Sequence, residues 1–237
     1  MTIKIGLCGF TMSAAEYFET FPVLEIQQTF YEPPALTTLR RWREQAPEGF
    51  EFTMKAWQLI THRATSTTYR RLRSPLTDKE RADAGAFRVT PVVLRAWETS
   101  LQCARIVRAT SILFQCPASF RPEEENLDNM RRFFAKIERP EGVRLLWEPR
   151  GAAWPAALVH ELCEELSLTH VVDPFVNDAT TASPTYWRLH GIGNHYHVYT
   201  DAELRALIAK LPPGETYVMF NNIPRVSDAQ RFARMLR

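Results

Sequence analysis

Nine polar or charged residues stand where short apolar runs stop. Lys55 closes FEFTMK, Gln115 closes SILFQ, and Glu148 and Arg150 close RLLWEPR. Asp173 closes HVVD, Arg188 and His190 fall in TYWRLHG, and Asn221 and Asn222 close TYVMFNN. A charge at the end of a buried run is costly unless it faces a wet, shared cavity. Residues two apart on a strand point to one side, so Glu148 pairs with Arg150 and Arg188 with His190. Lys55 adds a third cation. A carboxylate among cations stays ionised, which suits a base. Three cations at one mouth suit a phosphate or carboxylate, the arginines offering two-pronged forks. Glu148, His190 and Asp173 are therefore the candidate proton-moving groups. Lys55, Arg150, Arg188, Gln115, Asn221 and Asn222 are the candidate substrate-binding groups. Structural roles compete: Glu148 with Arg150 also fits an ion pair closing a fold, Asp173 a loop cap, and the asparagines turn backbone.

The runs themselves are rich in β-branched and aromatic residues and recur regularly. Strands are expected at Ile3–Gly9, Val23–Thr29, Phe50–Ala56, Ser111–Cys116, Arg144–Arg150, Thr169–Asp173, Thr185–Gly191 and Thr216–Asn222. Helical patterns lie between most of them. Pro91 after Thr90 opens one, with Val93, Trp97, Leu101 and Ala104 at helical spacing. Leu127, Met130, Phe134 and Ile137 mark another, and Leu158, Leu162 and Leu166 a third. Thr200 with Glu203 forms a capping box before Leu204, Leu207, Ile208 and Leu211. Eight strands interleaved with helices imply parallel pairing and right-handed crossovers. The fold expected is a single (β/α)8 barrel of the triosephosphate-isomerase (TIM) type over residues 1–237, with a doubly wound open sheet as alternative. Such barrels keep their chemistry at the C-terminal strand ends. The stretch Pro174–Pro184 is too short and proline-bounded for a full helix.

One segment breaks the alternation. Residues 57–90 are polar and weakly periodic, with seven basic residues (Arg63, Arg70, Arg71, Arg73, Lys79, Arg81, Arg88) against three acidic (Asp78, Glu80, Asp83). That net of +4 leaves −2 for the rest of the chain. A long loop after the third strand sits at the catalytic face, as a basic lid over an anionic ligand or as a solvated excursion. Charge is otherwise balanced, 29 basic residues against 27 acidic, so no global case for a nucleic-acid or membrane partner exists. At 237 residues the chain can bury roughly 70–75% of its unfolded surface without disulfide or metal. The four cysteines (Cys8, Cys103, Cys116, Cys163) show no metal-ligand spacing and read as reduced core residues. The N-terminal MTIKIGLCGF has no apolar signal core, so a cytoplasmic location is expected.

The strings VLEIQQTFYEPP, FTMKAWQLITH, FQCPASF, EPRGAAW, YWRLHG and YVMFNN, in that order, resemble the successive motifs of the YecE-like family (domain of unknown function 72). The resemblance spans almost the whole chain. It implies one barrel with a polar pocket at the strand ends, and no established activity. It adds Glu25, Thr29, Tyr31, Thr61, His62 and Trp154 to the matched positions, Tyr31 and His62 among them as candidate substrate-binding groups, with His62 also read as a hydrogen-bonding group within the 57–90 loop. Three departures stand out: Phe10 where the family favours tryptophan, Gln27 where it favours asparagine, and Gly151 where a histidine often follows Glu-x-Arg.

The leading functional expectation is a metal-independent hydrolase, isomerase or lyase on a small anionic, sugar-like substrate. Lys55, Arg150 and Arg188 would clamp the anion while His190 or Glu148 moves the proton. No cofactor is required by this reading. A divalent-metal phosphodiesterase or isomerase using Glu148, Asp173 and His190, with His195 or His197, is a second reading, although no compact motif supports it. A barrel that binds a nucleotide or nucleic acid through its basic lid is a third, weakened by the few aromatics there.

Overall fold

The computed structural model describes residues 1–236 of the chain. Eight parallel strands close into one barrel in sequence order: β1 (Thr2–Cys8), β2 (Val23–Ile26), β3 (Glu51–Lys55), β4 (Ser111–Gln115), β5 (Arg144–Glu148), β6 (Thr169–Val172), β7 (Thr185–Leu189) and β8 (Glu215–Phe220). Closure comes from β1 on β8, which pair from Thr2 with Glu215 to Leu7 with Phe220. The open sheet is thereby ruled out.

Most strands end one to three residues before the sequence expectation. The trailing polar residues leave the ladder, so Arg150, His190, Asn221 and Asn222 lie just beyond their strands. Helix α1 (Ala14–Thr20) follows β1 and α3 (Leu36–Gln45) precedes β3; at β2 the departure has a local cause, since Gln28–Tyr31 winds into a single helical turn, α2.

Alternation sorts each strand into an inner and an outer face. Inside, Cys8, Val23, Leu113, Leu146, Val171, Tyr186, Tyr217 and Met219 form a small apolar plug. Outside, a far larger cluster packs against the helices. Gly6 is required by this closure, since a Cβ there would collide with the Val23 carbonyl oxygen. The N-terminal end is sealed by charge: Lys4 pairs with Glu51 and Glu215, and Arg144 with Glu215 at 3.0 Å. The plug between that floor and the mouth means the barrel is a packed core with one working end.

Residues 57–90 are ordered into short elements: α4 (Gln58–Thr61), a 3-10 turn (Thr67–Arg71) and α5 (Asp78–Asp83), the last opened by a Thr77–Glu80 capping box. The long helix α6 (Pro91–Val107) follows. α7 (Glu124–Lys136) buries Met130, Phe133 and Phe134 after β4, and α8 (Ala156–Glu165) follows β5. α9 (Asp201–Ala209) begins at the Thr200–Glu203 capping box. Among the described residues, the connection from β6 to β7 carries no helix. All four cysteines are free and buried. Among the described residues no helix is long and apolar enough to cross a membrane.

Candidate functional site

The inner face at the C-terminal end changes abruptly from apolar to charged. One step above the plug, Glu25, Lys55, Gln115, Glu148 and Arg188 project inward from five strands. Arg188 is the hub. Its Nε and Nη2 donate to Glu25 at 3.0 and 2.9 Å, and its Nη1 donates to Glu148 Oε2 at 2.6 Å. The side chain is fully buried.

That placement corrects one expectation. Arg188 does not hold an open fork toward an incoming anion, because two buried carboxylates already occupy it. It instead holds those carboxylates in place. Glu25 is further fixed by the Tyr186 hydroxyl at 2.9 Å, itself bonded to Thr53 at 2.8 Å, and by the Gln27 amide.

Glu148 joins two layers. One oxygen receives Arg188, and the other receives Arg150 Nε at 3.0 Å. Burial alone would raise its pKa, but Arg188, then Arg150, His190 and Lys55, outweigh it and hold the carboxyl at about 2. The same balance runs in reverse at Arg188, where burial is overcome by Glu148 and Glu25 and the pKa rises.

His190 lies half-buried at the lip. Arg150 Nη2 is 2.5 Å and Arg188 Nη1 is 3.2 Å from its Nε2. Guanidinium groups only donate, so Nε2 is the accepting nitrogen and the ring proton sits on Nδ1. Nδ1 faces Asp173 Oδ2 at 3.5 Å, and the same oxygen accepts the His190 backbone N–H at 2.9 Å. Asp173 also caps Phe175 N–H through Oδ1. Its role is thus to orient the histidine and shape the loop.

Lys55 is buried and its Nζ donates to Gln115 Oε1 at 2.9 Å. The Phe30 ring lies 3.8 Å beneath the amine. The ring face favours the ammonium form. Burial and then the Arg188 charge act the other way, and the amine falls to about 7.

The remaining candidates divide. His62 is buried, with Nδ1 2.8 Å from the Thr61 hydroxyl and its ring edge-on to Phe30. Burial, then Lys55 and Arg150, push it down to about 3, so it stays neutral. Tyr31 is half-buried beneath the Arg71 guanidinium, 3.5 Å from its ring centre. Asn221 is half-buried at the end of β8. Asn222 is a second correction: fully buried, its amide donates to His197 O and Asp228, so it ties loops together.

The basic segment 57–90 spends part of its charge on its own backbone and on α7. Arg88 donates to the Ala82, Ala84 and Gly85 carbonyls, and Arg63 reaches Glu125 at 3.6 Å. A cavity of about 520 Å³ opens between the lid and the loop after β4, lined by Thr61, Arg63, Ser66, Pro117, Ser119 and Glu125.

The residues do not fit a resident divalent metal. Among the described residues no three His, Cys, Asp or Glu side chains converge where they could hold one. Glu25 and Glu148 are committed to guanidinium groups, and His197 Nε2 faces Glu203 at 3.0 Å, while His195 is exposed beside Tyr196. The groups that sequence spacing did not single out as chemical are Glu25, Gln27, Phe30, Thr53 and Tyr186. The carboxylate inside the apolar VLEI run was the available signal.

A family model described as protein of unknown function DUF72 matches residues 12–237. The UPF0759 protein YunF of Bacillus subtilis (strain 168) is 24% identical over 190 residues, covering 74% of this chain and 60% of that protein. The chain thus spans less than two thirds of that relative's length. The crystal structure of a DUF72 family protein from Enterococcus faecalis V583 superposes with a TM-score of 0.73 at 21% identity, over 99% of this chain and 97% of the other. More distant barrels include a D-psicose 3-epimerase (TM-score 0.57, covering 99% and 98% of the two chains) and endonuclease IV from Thermus thermophilus (0.60, 98% of each). Each is 11% identical and alike in fold alone.

Proposed function

The chain belongs to the DUF72 family of proteins of unknown function, and we propose that it is an enzyme acting on a small anionic, sugar-like substrate at the barrel mouth. The observation that carries this reading is the network Glu25–Arg188–Glu148–Arg150–His190–Asp173, buried at Glu25, Arg188 and Glu148 and opening to the lip at Arg150 and His190. Buried ion networks seldom stabilise a fold more than apolar packing of similar volume. Assembling six such groups where barrel enzymes keep their chemistry therefore favours catalysis over support.

Within this reading each group has a task. Arg150, whose side chain is about a third exposed at 36%, receives the anionic end of the substrate at the lip. Lys55, Gln115, Tyr31 and Asn221 supply the further substrate contacts. His190 Nε2 takes the substrate proton once ligand draws Arg150 away. Asp173, whose Oδ2 lies 3.5 Å from Nδ1, supports the charge that develops on the ring. Glu148 stays ionised and stabilises that positive ring. Arg188 positions Glu25 and Glu148 and does not itself meet the substrate. The epimerase and endonuclease barrels share the fold, so the substrate class rests on the charges at this mouth.

The test is proton NMR of a panel of sugar phosphates and sugar acids incubated with the protein in D2O. Solvent deuterium entering a substrate carbon, or product signals, is the expected result. Glu148→Gln should still bind that substrate while turnover falls on the order of a hundredfold or more. Unchanged turnover in Glu148→Gln would remove the carboxylate from the reaction.

A further inference from the structure

Lys55 is set apart from every other lysine of this chain. There are five: Lys4, Lys55, Lys79, Lys136 and Lys210. Lys4 is held between Glu51 and Glu215 at the sealed end, and Lys79, Lys136 and Lys210 are exposed. Lys55 alone is buried, 3% exposed, at the working end of the barrel.

Its surroundings are arranged against a fixed ammonium. Two carboxylates, Glu25 and Glu148, project into the same end of the barrel, yet both are bound by Arg188 and neither forms an ion pair with Nζ among the described residues. The hydrogen-bond partner of Nζ is instead the neutral Gln115 carbonyl, and an aromatic face lies below. The backbone that carries it is pinned, since Thr29 Oγ1 donates to Lys55 O at 2.7 Å. A lysine meant as an electrostatic clamp would be expected to keep a carboxylate partner or to stand exposed at the surface. This one does neither.

We propose that Lys55 is an imine-forming amine and that the substrate of this site carries an aldehyde or ketone carbonyl. The inference rests on the reading of the mouth as an enzyme site and narrows its substrate class. The Nζ lone pair attacks the carbonyl carbon, and the C=O π pair moves to oxygen. That oxygen is protonated to give a carbinolamine. The nitrogen lone pair then closes C=N as the hydroxyl, protonated from solvent, departs as water, leaving the imine protonated on nitrogen. Loss of that N–H proton to solvent gives the neutral imine and restores the proton balance. Hydrolysis of the imine later returns the amine and a carbonyl product, so no co-reactant is consumed. The protonated imine is a cation, and the anionic Glu25 and Glu148 nearby favour it over the neutral carbonyl. It acidifies the neighbouring carbon, whose proton His190 Nε2 takes in the proposed reaction.

The depressed basicity of the amine supplies the reactive form at neutral pH. Near 7 it holds on the order of a thousandfold more free amine than an ordinary lysine near 10.4.

The test uses the wild-type chain. Glycolaldehyde, dihydroxyacetone, pyruvate and dihydroxyacetone phosphate are each added at pH 7 and quenched with sodium borohydride, and the adducts are mapped by peptide mass spectrometry. The expected result is a reduced adduct on Lys55 at least about tenfold above each of the other lysines, consistent with its larger neutral fraction. Its yield should rise with pH through a midpoint close to 7. Prior unfolding in urea should erase the preference, which separates a property of the site from one of the peptide. Labelling confined to Lys79, Lys136, Lys210 and the N-terminus, with Lys55 unmodified by all four probes, would overturn the proposal. If anion binding at Arg150 survives that failure, the imine falls and the enzyme reading stands. If Lys55 is labelled but no anion binds, the imine stands and the anionic substrate falls.

Discussion

Arg188 shows how a residue's chemistry is set by what its neighbours leave it. Its guanidinium is always charged, and the barrel buries it completely between two carboxylates. Removing one partner of such a pair strands the others, at a cost of about 3–5 kcal/mol. Arg188→Met should therefore lower the unfolding free energy in urea by roughly that amount, against less than about 1 kcal/mol for Arg150→Ala at the exposed lip. Equal, small losses would mean that the hub carries no such charge. Spacing within a strand made the Glu148–Arg150 and Arg188–His190 pairs legible, because alternation alone fixes which side they face. Spacing did not reveal that Arg188 belongs to Glu25, which is 163 residues away. That partnership depends on barrel closure and on side-chain lean across the interior, neither of which a single run encodes. The same holds for Asn222: its position beside Asn221 was visible, but its burial against Asp228 was not.

At the scale of elements, the segment 57–90 behaves as a built structure. Gly85 N–H and Phe87 N–H bond back to the Leu59 and Ile60 carbonyls, closing it as a loop whose ends meet. Arg88 then ties the carbonyls of Ala82, Ala84 and Gly85. Its basic composition was plain in the sequence, whereas the use of that charge on backbone carbonyls was not. Arg88→Ala should loosen this closure while the barrel persists, so limited proteolysis should cut first within 62–84. First cuts elsewhere would show that Arg88 is not the closure. Caps were read more directly. The Thr200–Glu203 box opens α9 as its spacing dictates, since both halves of that motif lie within one turn. Strand ends were less legible, because departure from the ladder is decided by the mouth the residues line.

The whole molecule is a barrel with one sealed and one charged end, and its acid response should report the charged one. Glu148 ionises at about 2 in the fold against an ordinary 4.5, so its contribution is full above 4.5 and is lost as pH falls toward 2. Melting temperature should drop through that window in wild type and more shallowly in Glu148→Gln. Parallel curves would assign acid sensitivity elsewhere. The central claim, that this mouth receives a small anion through Arg150, is tested most directly by thermal shift with inorganic phosphate, sugar phosphates and sugar acids on wild type and Arg150→Ala. A ligand at about 100 times its dissociation constant stabilises by about 2.7 kcal/mol, a shift of roughly 5–10 °C for a chain of this size. The account predicts such a shift with one anion class in wild type and its loss in Arg150→Ala, whose own unliganded melting stays close to wild type. A flat panel, or a shift that survives in Arg150→Ala, would contradict it.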